Sequence, residues 1–99
     1  MKTVTVTFSS DKIAERTART LRRRSRAASE ELMDVTAQSH RYHPLVIERL
    51  NALASIERVS KRGRSVVITV ADDGDGELLR SVATATMHAA GVVGKVEYS

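Results

Sequence analysis

The sequence predicts an α+β domain: a two-layer sandwich of a three-stranded sheet with helices on one face, in the order β-α-α-β-α-β. Three observations carry this expectation. Residues 2–8, 65–71 and 92–98 alternate apolar and polar side chains with the period of a strand. The stretches between them repeat apolar residues every three or four positions, the period of a helix. Each strand has one apolar and one more polar face, which suits helices on one side and argues against a sheet covered on both.

The first strand places Val4, Val6 and Phe8 on one face and Thr3, Thr5 and Thr7 on the other. Ser9, Ser10 and Asp11 end it and offer helix N-caps. To about Ser39 the pattern is helical, with Ile13, Thr17, Leu21, Ala28, Leu32 and Val35 on one stripe. Arg24 interrupts the stripe and Ser29-Glu30-Glu31 suits a fresh helix start, so the segment reads as one long helix or as two with a break near Ser25–Ser29. An unbroken helix over 10–38 is about 43 Å long, against about 23 Å for a seven-residue strand. Such a helix overhangs the sheet unless it breaks or its end packs on something else, for which a second copy of the chain, a homodimer, is the simplest expectation.

His40 to Pro44 reads as a connection, with Pro44 at the first position of a helix running to about Lys61. That helix aligns Val46, Leu50, Leu53 and Ile56, and Gly63 is its expected stop. Ser65 to Ala71 is the second strand, Asp72 to Gly76 a turn, and Glu77 to Ala90 the third helix. Its inward residues are Leu78 or Leu79, Val82, Ala85 or Thr86, and Ala89, and Gly91 stops it. Val92 to Tyr98 is the last strand. No repeat, linker or low-complexity segment divides the chain, so residues 1–99 read as a single domain.

The aromatic residues are Phe8, Tyr42 and Tyr98, so the core must be aliphatic. The absence of cysteine excludes a disulfide framework and fits a reducing compartment, hence an expected cytoplasmic location. No apolar run approaches the ~18 residues of a membrane span, and the alternating N-terminus is unlike a signal peptide. The net charge of +4 is unevenly placed. Residues 1–64 hold 14 Lys and Arg against 7 Asp and Glu, whereas residues 65–99 hold 2 against 5.

The basic charge culminates in Arg16, Arg19, Arg22, Arg23, Arg24 and Arg26. On a helix, Arg16, Arg19, Arg23 and Arg26 share a face at spacings of three and four. Such a stripe can neutralise phosphates, with steeply salt-dependent binding. The same residues also read as a solvated face eased by Glu15–Arg19 and Arg26–Glu30 pairs. Zinc-finger spacing is absent, and Thr3, Thr5 and Thr7 cannot stack bases. The acids of 72–77 fail as a calcium loop: with Gly76 at the sixth position, Ala71 stands at the first and Val82 at the twelfth. His40 and His43 have H-x-x-H spacing, but no H-E-x-x-H motif exists and His88 is remote. There is no G-x-S-x-G elbow.

No catalytic residue, metal or cofactor is therefore expected. The sequence reads as a small non-enzymatic binding or adaptor protein, with nucleic acid or an acidic protein surface as partner, engaged through the Arg face or the Thr-lined face of the sheet. Two alternatives remain. One is a protein-interaction module, an accessory or inhibitory factor docking on a host protein, for example by strand addition at a sheet edge. The other is a small enzyme with a site at a dimer interface.

Overall fold

A computed structural model of the chain describes residues 2–70 and 76–99. The elements are β1 (Lys2–Thr7), α1 (Asp11–Ala37), a short 3-10 turn (Ser39–Arg41), α2 (Pro44–Ala54), β2 (Ile56–Arg62), β3 (Ser65–Val70), α3 (Gly76–Ala90) and β4 (Lys95–Tyr98). Ala71–Asp75, with the expected turn and the acids weighed as a calcium loop, lie outside the described residues.

The sheet has four strands, not three, in the order β2-β3-β1-β4, with every neighbouring pair antiparallel. The order of elements is thus β-α-α-β-β-α-β. β1 and β2 run parallel on either side of β3, and β3 and β4 run parallel on either side of β1. Two split β-α-β units therefore interlock, the connectivity of the ferredoxin-like arrangement, with α2 added to the first crossover. Unrelated functions share this connectivity, so it assigns none.

The extra strand occupies residues that the sequence pattern assigns to the end of α2. The cause is a β-bulge between Ile56 and Arg58. Ile56 pairs with Val70 and Val59 with Ile68, so two residues three apart share the buried face. In a regular strand they would face opposite sides; the inserted residue gives the strand a helix-like spacing. Gly63 ends no helix. Arg62 pairs with Ser65, leaving Gly63 and Arg64 as a two-residue hairpin loop. Gly63 has φ +59°, as the first central position of a primed turn requires. The last strand is also shorter than expected and starts at Lys95.

α1 is unbroken over 27 residues, about 40 Å at 1.5 Å per residue. Ser10 caps it, its hydroxyl accepting from the Ile13 amide at 3.2 Å. The overhang is covered within the chain: α2 packs against α1 and also against α3. A second copy is therefore not required to bury that end of α1.

Val4, Val6, Val66, Ile68 and Val70 are fully buried beneath Ala14, Thr17, Ala18 and Leu21 of α1 and Val82, Ala83 and Thr86 of α3. Thr3, Thr5, Thr7, Val67 and Thr69 lie on the other face and are only half-buried. The helices thus cover one face. No helix among the described residues is long and apolar enough to cross a membrane.

Candidate functional site

The six arginines between residues 16 and 26, with no carboxylate among them, leave α1 in three directions. Successive helical residues turn by about 100°. The buried residues Ala14, Thr17, Ala18, Leu21, Ala28 and Val35 define the inner side. Arg19, Arg23 and Arg26 fall within about 60° of one another on the opposite side, so they form an exposed crest.

Arg16 turns away from that crest. Its Nη2 donates to the carbonyl of Ala90 at 2.9 Å, satisfying an end carbonyl of α3 where a cation is favoured. Arg19 pairs with Glu15 at 3.3 Å, but their side chains are 76% and 59% exposed. Such a pair is worth well under about 1 kcal/mol and leaves Arg19 available. The spacing of Arg26 and Glu30 does not yield an ion pair. The side chains of Arg23 and Arg26 make no hydrogen bond or ion pair among the described residues.

Arg22 points toward the sheet edge. Its Nε and Nη2 both donate to the Val59 carbonyl of β2, at 3.2 and 3.0 Å. β2 is an edge strand, and this contact together with the bulge blunts it against addition of another strand. A second tie, Lys61 to Asp11 at 3.4 Å, joins β2 to the start of α1. Arg58 and Arg62 lie on the face of the sheet turned away from α1 and Arg64 lies in the β2–β3 hairpin loop, all three exposed.

Between α1 and α2 runs an open cleft of about 480 Å³. Val46, Leu50, Leu53 and Ala27 supply apolar lining, and Arg23, Arg24, Arg49 and Glu31 supply charge. The side chains of Arg24 and Arg49 make no hydrogen bond or ion pair among the described residues.

The histidines do not converge. His43 is the N-cap of α2, its Nδ1 accepting from the Leu45 amide at 3.1 Å. His40 lies exposed in the 3-10 turn and His88 exposed on α3. Among the described residues no group of three or more His, Asp or Glu could hold a metal ion.

The open sheet face combines Thr3, Thr5, Thr7, Ser65, Val67 and Thr69 with Arg58, Ser60 and Arg62 at one edge and Lys95 and Glu97 at the other. Tyr98 pairs with Val4 and so belongs to the helix-covered face. Among the described residues the open face carries no aromatic side chain on which a base could stack.

No protein-family model, curated protein or solved structure matches the chain at significance. The functional reading therefore rests on this geometry. Of the sequence-predicted set, Arg19, Arg23 and Arg26 stay together, while Arg16 is drawn to α3. Arg22, Arg24, Arg49 and the hairpin arginines acquire positions the helical pattern of α1 does not reveal. The Arg62-Gly63-Arg64 run beside an alternating segment is the one local signal that could have found the hairpin.

Proposed function

We propose that this chain is a non-enzymatic binding protein that engages nucleic acid through phosphate contacts along the crest of α1. One observation carries the reading: Arg19, Arg23 and Arg26 stand on the side of a rigid, unbroken helix directly opposite its buried face, within a tract of six arginines free of acids. Guanidinium groups suit phosphate oxygens, with which they form paired hydrogen bonds. Because α1 carries no aromatic side chain on which a base could stack, the contacts fall on the backbone rather than on bases, so binding is sequence-tolerant. The scattered histidines, one of them committed to capping α2, favour binding over catalysis.

The test is fluorescence anisotropy of labelled duplex DNA and RNA at low salt, with the parent chain and with Arg19, Arg23 and Arg26 replaced by glutamine. The proposal expects saturable binding by the parent and loss of most of it in the variant. Absence of binding at the lowest salt would end it.

A further inference from the structure

We propose that the cleft between α1 and α2 is a docking groove for an acidic amphipathic helix of a protein partner. The inference does not depend on nucleic-acid binding: the groove lies beside the crest and shares only Arg23 with it. α1 and α2 lie side by side, and two adjacent helices leave a furrow into which a third can lay its apolar stripe. Here the furrow has an apolar lining of Val46, Leu50, Leu53 and Ala27. Val46 is 42% exposed and Ala27 is exposed, whereas Leu50 and Leu53 are buried core residues that form the floor, so Val46 and Ala27 are the part of the lining that faces solvent.

The charge identifies the occupant. Arg23 and Arg24 line the groove from α1 and Arg49 lines it from α2, with Glu31 the sole acid among its lining residues. The side chains of Arg24 and Arg49 have no hydrogen-bond or ion-pair partner among the described residues. A helix with leucines on one face and carboxylates along the borders of that face satisfies both features. The apolar stripe meets Val46 and Ala27 over the floor of Leu50 and Leu53, and the carboxylates meet the guanidinium groups on both sides. A bare polyanion would use the arginines and leave the apolar lining wet; a purely apolar helix would leave the arginines without partners. α2 has 11 residues, about 16 Å of helix, so the contact spans about three turns of the partner.

The probe is a fluorescein-labelled peptide of about 15 residues, a length at which an isolated helix is marginal in water and docking can complete it, with leucine on one helical face and glutamate elsewhere. A matched peptide carries lysine in place of glutamate. The parent chain is expected to bind the glutamate peptide and not the lysine peptide. Arg24→Glu with Arg49→Glu should weaken the glutamate peptide by about tenfold or more, the effect of reversing charges facing a partner, and should gain the lysine peptide. Both residues are exposed, and circular dichroism checks that the variant folds. Val46→Asp should weaken the glutamate peptide. Arg19→Glu with Arg26→Glu, on the crest, should lose duplex DNA yet keep the glutamate peptide. The groove is overturned if the glutamate peptide does not bind, if the Arg24/Arg49 reversal leaves it unchanged, or if the crest reversal weakens it equally. The last result would mean a general basic field rather than a groove. Failure of the crest variant to affect DNA bears on nucleic-acid binding alone.

Discussion

Replacing Gly94 by alanine tests how closely β4 is seated on the core. The added Cβ would stand 2.7 Å from Cγ1 of Val6, 2.8 Å from the carbonyl oxygen of Thr7 and 3.0 Å from Cδ1 of Phe8. Two of these neighbours cannot yield easily. Val6 is fully buried and branched at Cβ, which restricts its rotamers. Thr7 belongs to β1, held on both sides by Ser65 of β3 and Lys95 of β4. The methyl group is therefore accommodated by moving the backbone before β4, and overpacking of this kind costs about 2–3 kcal/mol. For a domain of this size that lowers Tm by roughly 10–20 °C. Urea titration followed by far-UV circular dichroism should show a lower midpoint with unchanged slope. Gly76→Ala is the control, since no atom of the described residues lies within 4 Å of its added Cβ; it should be neutral or slightly stabilising. A Gly94→Ala midpoint within about 0.5 kcal/mol of the parent, the range of an ordinary surface change, would show that β4 is not seated as described.

Gly63→Ala should cost about 1 kcal/mol by the same titration, because φ +59° disfavours a Cβ although the space around it is open; no loss would argue against the primed hairpin turn. Ser10→Ala should also cost about 1 kcal/mol through loss of the α1 N-cap, and an unchanged melt would remove that role. Arg22→Ala should destabilise by about 1 kcal/mol. It should also speed hydrogen exchange in β2 relative to β1, whereas uniform exchange would mean that Arg22 does not hold the edge.

The strands β1 and β3 are legible because each keeps a strict two-residue alternation, Val4 and Val6 in one case and Val66, Ile68 and Val70 in the other. α1 is legible because its buried stripe has a helical period. β2 is obscured by the bulge, which puts Ile56 and Val59 on one face at a spacing that imitates a helix. The same misreading turns Gly63 from a hairpin residue into a helix stop. For the candidate site, the crest of Arg19, Arg23 and Arg26 follows from local spacing alone. The diversion of Arg16 to Ala90 and of Arg22 to Val59 depends on contacts 74 and 37 residues away in the chain, which a helical pattern cannot contain. The α1–α2 groove likewise exists only once α2 folds back along α1.

The crest itself is tested most directly by the salt dependence of duplex DNA binding, measured by anisotropy between 50 and 200 mM salt for the parent and for the Arg19, Arg23, Arg26 triple glutamine variant. At about 0.9 per neutralised phosphate, three contacts contribute about −2.7 to the slope of log K against log salt, a roughly fortyfold loss of affinity over that range. The account predicts that the triple variant binds more weakly at 50 mM salt and that its slope is shallower than the parent's by about that amount. Equal slopes for the two chains, at whatever affinity, would contradict it, because the crest arginines would then be releasing no counterions from the nucleic acid.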